Sequence, residues 1–441
     1  MRAAHPAETT VGIEYYVSDA DGIGGRLRDR PGDFRVEELE GITPEPVDAD
    51  AAAYPHLVVR ATLENWDTND FARALANRLG ISRERINWAG TKDKRAVTTQ
   101  LVSIKGIDPE ALPTLSGVEL SVVGRFGRGL AFGDLAGNEF TVTVRDPTAP
   151  DRVPAVSEDL HSFAGDRGPG TTGPVVGVPN YFGHQRFGSG RPITHEVGLA
   201  IVERAWERAV RIYLTEPGAG EPDATSEVRT DLAGTEDWAR ALDRFPTRLR
   251  FERAMLHVLA DGGSYRDALA ALPENLRRLF VHAAQSYVFN RVVSRRLEAG
   301  LPFGSPVPGD VVCFTEDRGG LQVPDPSRTQ RVTDDRVEVI DRHCRRGRAV
   351  VTAPLVGTDT EFGEGRPGEI ERSVLESVGL TRDQFDLPAP YDSTGTRRAI
   401  LVWTDLVASV DDEVVLSFGL PKGAYATVVL REYLKTPPST L

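Results

Sequence analysis

Short runs that alternate apolar and polar residues, or are rich in β-branched residues, recur through the first third of the chain. Such runs are typical of strands that bury one face. They predict strands at residues 26–29, 34–39, 57–63, 100–105, 118–123 and 140–145. One helix is predicted between the third and fourth of these strands. Asp67 or Thr68 can cap its start, Gly80 can end it, and Phe71 and Leu75 share one face.

The middle of the chain carries longer stretches with helical spacing, and the tail returns to strands. Helices are predicted at residues 194–210, 249–260 and 273–299, and from 421 to about 434. Strands are predicted at residues 311–314, 349–353, 398–404 and 413–418. Segments rich in Pro, Gly and Asp predict loops at residues 41–55, 146–174 and 215–237.

The tail has the same mixed character as the first third, whereas the middle is mostly helical. This pattern indicates a discontinuous arrangement, in which both ends of the chain build one α+β domain and the middle is inserted into it. A chain of 441 residues is long enough for two or three domains.

Composition narrows the class of protein. Hydrophobic residues at 40% and charged residues at 27% are ordinary for a globular protein, and no apolar run approaches the roughly 18 residues of a membrane span. The first ten residues lack the apolar core of a signal peptide. Cys313 and Cys344 form no Cys-x-x-Cys pair, so two reduced structural thiols are favoured over a single disulfide. We therefore expect a cytoplasmic protein with no membrane partner.

The formal net charge of −13 argues, taken alone, against a nucleic-acid partner. However, 47 of the 52 basic residues are arginine and only five are lysine. Acid-rich, lysine-poor composition resembles that of proteins from a salt-filled cytoplasm, where carboxylates keep the surface hydrated. The net charge then reflects the solvent and leaves the partner open.

Local charge points towards a polyanion. Residues 85–128 contain seven basic and four acidic residues, and residues 275–296 contain five arginines and no acid. Two basic segments in an acidic chain indicate positive charge placed for a nucleic acid. Either segment alone is equally compatible with a solvated helix face or turn.

The segment Gly90-Thr-Lys-Asp-Lys places Asp93 between Lys92 and Lys94. Two flanking cations hold a carboxylate ionised, which suits a nucleophile or an electrostatic stabiliser better than a general acid. Without further context, a charged surface turn is the more common explanation of such a segment.

Two further segments combine aromatic and hydrogen-bonding side chains. Residues 180–188, Asn-Tyr-Phe-Gly-His-Gln-Arg-Phe-Gly, can stack bases and bind phosphate, or can form a packed aromatic turn. In residues 279–290, His282, Gln285 and Asn290 can face RNA or can hold a helix to its neighbours, and the second role is favoured for each. The eight scattered histidines and the distant cysteines predict no metal site.

Taken together, these segments resemble the TruD family of tRNA pseudouridine synthases. The family's segments occur in its order across nearly the whole chain: residues 24–25 and 33–38, 87–100, 135–140, 180–188, 279–290 and 418–431. Gly-Thr-Lys-Asp and Asn-Tyr-Phe-Gly-x-Gln-Arg-Phe-Gly are highly specific. The chain departs from many members at Ala424-Tyr425, a mild change.

The resemblance implies an α+β fold: a pseudouridine-synthase catalytic domain with a mixed or antiparallel sheet, discontinuous in sequence, holding an inserted α/β domain particular to the family. The implied division is residues 1–170 and 389–441 for the catalytic domain and 171–388 for the insert. It also implies the site. Asp93 corresponds to the catalytic aspartate, and the substrate-binding residues correspond to Phe34, Lys92, Asn138, Phe140 and Phe418.

The implied reaction is isomerisation of uridine, at position 13 of certain tRNAs, to pseudouridine. Because the product has the same atoms as the substrate, the reaction needs no cofactor, group donor or metal. The expected partner is tRNA, and the oligomeric state is left open, with a monomer compatible. Two alternatives remain: a non-catalytic RNA-binding or RNA-folding protein on the same scaffold, and a nucleoside hydrolase with paired carboxylates.

Overall fold

The computed structural model of the chain describes residues 2–92, 94–165, 175–188, 190–218, 220–318 and 321–441. Its strands, in chain order, are β1 (Arg2–Ala3), β2 (Tyr15–Tyr16), β3 (Phe34–Glu40), β4 (His56–Glu64), β5 (Ile86–Trp88), β6 (Val97–Lys105), β7 (Val118–Phe126), β8 (Leu135–Val144), β9 (Val175–Pro179), β10 (Val311–Arg318), β11 (Leu321–Arg331), β12 (Ala349–Leu355), β13 (Thr396–Ala399), β14 (Leu401–Val410) and β15 (Val414–Pro421). Its helices are α1 (Pro6–Thr9), α2 (Thr68–Leu79), α3 (Val153–Ala164), α4 (Thr194–Val202), α5 (Trp206–Thr215), α6 (Asp223–Thr235), α7 (Trp238–Arg244), α8 (Arg250–Ala260), α9 (Tyr265–Ala270), α10 (Glu274–Glu298), α11 (Val337–Arg345), α12 (Gly365–Ser377) and α13 (Ala426–Leu434).

A nine-stranded sheet organises the two ends of the chain. Its order is β7-β4-β6-β3-β8-β15-β14-β9, and β5 pairs with β6. All neighbours are antiparallel except β3 and β6, which are parallel. Strands from the first 179 residues therefore lie beside strands from the last 41 residues.

A second sheet, with the order β11-β10-β12-β13, belongs to the middle of the chain. The long helix α10 contacts α4, α12 and β12, so the middle segment packs around this helix. Its apolar face, including Phe280, Val288 and Phe289, is almost completely buried. The prediction of an α+β fold with a discontinuous mixed sheet is confirmed.

Helix α2 follows the prediction because its signals are local. The Asp67 carboxylate accepts hydrogen bonds from the amides of Asn69 and Asp70, and Gly80 ends the helix at φ 65°. Phe71 and Leu75 are buried in a cluster with alternate residues of β4. These contacts fix α2 against the sheet at the level of residues 90–92, since the Lys92 amide donates to Thr68 Oγ1.

The predicted loops at 146–174 and 215–237 are wrong in part, because α3 and α6 lie within them. In α6, the acidic composition conceals the spacing of Val228 and Leu232. Between them the fully buried Arg229 pairs with Glu221 and Glu252, so charge compensation stabilises a helix that composition disfavours.

Three further predictions fail at points of tertiary contact. The predicted helix 194–210 is two helices, broken where Arg204 adopts φ 59°. The predicted strand 26–29 is one bridge between Arg26 and Arg145. The predicted strand 398–404 is two strands, because β13 pairs with β12 and β14 pairs with β9 and β15.

The domain division remains a prediction. Two strands close to its predicted limits pair with strands on the other side of those limits. β9 lies beyond residue 171 yet pairs with β14 of the nine-stranded sheet. β13 lies beyond residue 388 yet pairs with β12 of the second sheet. No disulfide joins Cys313 and Cys344, which are both buried. Across the described ranges, no helix has both the length and the apolar character to cross a membrane.

Candidate active site

Three phenylalanines from neighbouring strands form an aromatic row. Phe140 on β8 lies opposite Phe418 on β15 in the antiparallel register, and their rings stack with centroids 5.4 Å apart. Phe34 on β3 meets the Phe140 ring edge-on, with centroids 6.2 Å apart. Each side chain is 9% exposed or less. The structure thus brings together three of the residues predicted to bind substrate.

The start of β3 is held by charge. Arg145 pairs with Asp33 at 2.5 Å, and its hydrogen bonds lower the pKa of the Asp33 carboxyl. The Arg28 guanidinium lies 4.2 Å from the centroid of the Phe34 ring. These contacts fix the ring that closes one end of the aromatic row.

Asn138 lies two residues before Phe140 on β8, so both side chains project from the same face of the sheet. The register places Asn138 between Glu38 of β3 and Leu420 of β15. Its Oδ1 atom is buried and has no hydrogen-bond partner among the described residues. A buried acceptor without a donor costs free energy, which is typical of a site that a ligand completes.

Lys92 forms a buried ion pair. Its Nζ atom lies 2.6 Å from Glu38 Oε1, and the two side chains are 8% and 3% exposed. Burial raises the pKa of the Glu38 carboxyl, while Lys92 opposes the shift. Gly90 makes room for the pair, because a Cβ atom there would lie 2.8 Å from Glu38 Oε1 and 3.2 Å from Lys92 Nζ.

Asp93, the predicted catalytic residue, lies outside the described residues. Lys94, which follows it, is exposed. The two lysines on either side of Asp93 therefore differ, since the ammonium of Lys92 is already paired with a carboxylate.

Glu38 is not among the predicted site residues. The signal in the sequence is its position in β3, where Phe34, Val36 and Glu38 alternate on the buried face. A carboxylate in that series requires a partner, because a buried charge must be paired. The partner is 54 positions away, so the pattern alone does not identify it.

A cavity of about 1020 Å³ lies between the two sheets, beside the strands that carry Phe140 and Phe418. Glu139, Thr141 and Ser417, which project from the sheet face opposite to the two rings, contribute to one wall, and residues of β11 and β13 form the facing wall. The cavity is large enough for a nucleotide together with part of its backbone. Arg398 and Lys422 also line it.

The aromatic segment 180–188 is largely a packed turn. Tyr181 and Phe187 are fully buried, and Asn290 Oδ1 accepts a hydrogen bond from the Phe182 amide at 2.8 Å. Gln285 donates to the Val356 carbonyl at 2.6 Å. The predicted role of Gln285 and Asn290 in holding the helix to its neighbours is confirmed.

Buried aromatic rings, an unpaired amide oxygen and a buried ion pair beside a cleft define a site suited to an aromatic base. Residues 10–433 match the family described as tRNA pseudouridine synthase D (TruD). The chain therefore belongs to the TruD family of tRNA pseudouridine synthases, which are isomerases.

Similar proteins cover the whole chain. A protein of Halobacterium salinarum named "Probable tRNA pseudouridine synthase D" is 59% identical over 443 residues, covering 100% of both chains. A protein of Natronomonas pharaonis with the same name is 56% identical over 447 residues, again covering 100% of both. Both organisms are halophilic, in agreement with the composition.

A solved structure extends the likeness to the fold. One crystal structure is of a Methanosarcina mazei protein that is provisionally identified as tRNA pseudouridine synthase D (TruD). It superposes on this chain with a TM-score of 0.85 at 39% sequence identity. The match covers 99% of this chain and 100% of that one. The two chains therefore share their fold along almost their full length.

Proposed function

We propose that this chain converts uridine 13 of tRNA into pseudouridine, with Asp93 as the catalytic nucleophile or base. The observation that carries the proposal is the aromatic row of Phe34, Phe140 and Phe418 beside the unpartnered Oδ1 of Asn138. A flat ring and an unused acceptor are what a uracil base, with its aromatic face and its N3–H donor, requires.

In the proposed reaction the N1–C1′ glycosidic bond breaks and a C5–C1′ bond forms. C5 loses its proton and N1 gains one, so the atoms balance without a donor or an oxidant. Asp93 either attacks C1′ directly or removes a proton from the ribose. Both routes need an ionised carboxylate, in keeping with the lysines that flank Asp93 in the sequence.

The base must leave the RNA stack before it can react, at a cost of a few kcal/mol. Stacking on an aromatic side chain recovers about 1 to 3 kcal/mol per base. Phe140 and Phe418 are already stacked on each other, and Phe34 stands edge-on to them. The row thus offers an aromatic surface against which the detached uracil can turn from N1 to C5.

The ion pair with Glu38 changes the part expected of Lys92. Its charge is compensated at 2.6 Å, so it is a positioning residue for the loop that carries Asp93. Lys94 is exposed and remains available to the RNA backbone. A cytoplasmic location remains a prediction of the sequence.

The test is incubation of the protein with unmodified tRNA at high salt, followed by mapping of pseudouridine. We expect one pseudouridine at position 13 with the wild type and none with Asp93→Asn, while Asp93→Asn still binds tRNA. Modification elsewhere would keep the reaction class and remove the assigned target. Unchanged activity in Asp93→Asn would remove the mechanism, and release of free uracil would point to the hydrolase.

A further inference from the structure

Arg398 is a half-buried cation whose hydrogen-bond partners are all uncharged. Its Nε donates to the Asn180 carbonyl at 3.2 Å, and its Nη2 donates to Asn180 Oδ1 at 2.6 Å and to the Gly423 carbonyl at 2.9 Å. The guanidinium lies 4.2 Å from the centroid of the Phe182 ring. Among the described residues, no carboxylate pairs with it.

Such a cation lacks negative charge in its surroundings. Burial lowers the pKa of the Arg398 guanidinium to about 10, with a smaller contribution from the nearby Arg186, while Tyr425 opposes the shift. Carbonyl oxygens and an aromatic face satisfy its geometry in part, but they do not neutralise it. An anion placed beside the guanidinium would neutralise its charge.

Lys422 supplies a second cation at the same end of the cavity. Its Nζ donates to the Gly133 carbonyl at 3.0 Å. No described carboxylate forms an ion pair with it, and its charge helps to lower the pKa of the Asp134 carboxyl, which is paired with Arg128. Lys422 immediately precedes Gly423, whose carbonyl binds Arg398. A Cβ atom on Gly423 would lie 3.6 Å from Arg398 Nη1, so that nitrogen faces the 422–423 turn.

Other arginines of the same cavity are compensated. Arg397, the neighbour of Arg398, pairs with Glu371 at 2.7 Å, and Arg345 pairs with Asp341 at 2.7 Å. The lining also contains the carboxylates of Glu139, Glu316, Asp325 and Asp405, so Arg398 and Lys422 are a local pair of cations in a cavity of mixed charge.

We propose that Arg398 and Lys422 form a phosphate-binding site that holds the RNA backbone next to the target uridine. The inference rests on the proposed function and adds a subsite to it. A phosphate oxygen is the acceptor that suits a fixed guanidinium and an adjacent ammonium. Lys422 lies close to the segment that leads into Asp93, because its Nζ donates to the Gly133 carbonyl and the Gly133 amide donates to the Ala89 carbonyl, four residues before Asp93.

The test uses full-length tRNA in which one phosphate, on the 5′ or the 3′ side of the target uridine, is replaced by a neutral methylphosphonate. For the wild type we expect one of the two replacements to weaken binding about tenfold, because it removes one charged hydrogen bond. In Lys422→Gln the same replacement should have a smaller effect than in the wild type, because only Arg398 then holds the phosphate. The slope of log K against log salt should also become shallower by about 0.7 to 0.9 for each phosphate that is no longer neutralised.

Arg345→Gln is the matched control, since Arg345 lines the same cavity but is paired with Asp341 and exposed. It should keep the full sensitivity to the methylphosphonate. Arg398→Gln is expected to behave like Lys422→Gln, and its thermal unfolding should be measured alongside because Arg398 also ties Asn180 to Gly423.

Equal tolerance of both methylphosphonates by the wild type would overturn the proposal, as would full sensitivity in Lys422→Gln. Pseudouridine formation on the unmodified tRNA is measured separately. If the wild type binds with the expected phosphate dependence but forms no pseudouridine, the proposed function fails and the phosphate site stands.

Discussion

Lys92 Nζ donates to Glu38 Oε1 at 2.6 Å, and both side chains are more than nine-tenths buried. The pair joins β3 to the segment that precedes Asp93, across 54 positions of sequence. Burial of two charges is costly, and the pair recovers that cost only while both partners are present. This ion pair therefore couples the stability of the sheet to the segment that leads into Asp93.

Glu38→Gln should destabilise the protein by roughly 3 to 5 kcal/mol, because it leaves the Lys92 ammonium buried without a counter-charge. The free energy of unfolding, measured by denaturant titration at constant salt, checks this. The double variant Glu38→Gln, Lys92→Met should recover much of the stability, since it removes both charges. A double variant less stable than Glu38→Gln would contradict the ion-pair explanation.

In Gly90→Ala, the proportional loss in the rate of pseudouridine formation should be larger than the proportional loss in unfolding free energy. The added methyl would lie 2.8 Å from Glu38 Oε1 and 3.2 Å from Lys92 Nζ, so the pair and the segment after it must shift. Steady-state rates and thermal unfolding of the same preparation separate the two effects.

Gly234→Ala is the matched control: Gly234 lies in α6 with no atom within 4 Å of an added Cβ. That change should add about 0.5 to 1 kcal/mol of stability and leave activity unchanged.

Local signals account for the parts of the fold that are predictable. α2 carries its own cap, apolar face and terminal glycine. The split between β13 and β14 has no such signal, because the partner of each strand lies elsewhere in the chain. The sequence does not reveal α6, since its buried Arg229 looks like a surface residue until Glu221 and Glu252 are seen beside it.

The candidate site divides in the same way. Phe34, Phe140 and Phe418 are assigned through the family resemblance, and only the sheet register shows that their rings touch. Glu38 and Arg398 escape prediction because their roles depend on residues far away in sequence. Asp93 is assigned from the sequence, and the Asp93→Asn experiment tests its role.

His195 gives a pH dependence of stability. It is buried between Phe187 and Tyr287, and burial lowers the pKa of its imidazole to about 4, with a smaller contribution from His184. The neutral ring is thus favoured in the folded state relative to an unfolded pKa of about 6.5. Its contribution is fully present above pH 6.5 and is lost as the pH falls through 4.

His195→Gln should therefore show a shallower fall in unfolding free energy between pH 6.5 and 4 than the wild type, by at most about 3 kcal/mol. Denaturant titrations at several pH values check this. His257→Gln, at an exposed position on α8, is the control and should follow the wild-type curve. Parallel curves for His195→Gln and the wild type would exclude His195 as the source.

Asn138→Leu should make the protein more stable and less active. The Oδ1 of Asn138 is buried without a donor among the described residues, and an unsatisfied buried acceptor costs about 1 to 3 kcal/mol. Leucine has the same branching at Cγ and no polar atom, so it removes that cost and the unfolding free energy should rise by about 1 kcal/mol. The same change removes the acceptor proposed for the uracil N3–H, and pseudouridine formation should fall at least tenfold.

Thr98→Val is the matched control, because Thr98 Oγ1 is also buried and unpaired among the described residues, opposite Val36 on the neighbouring strand. It should gain stability and keep activity. Equal reduction of activity in both variants would mean that the sheet is sensitive to any substitution here. A reduction in Asn138→Leu alone would show that the unpaired oxygen serves substrate binding at the expense of stability.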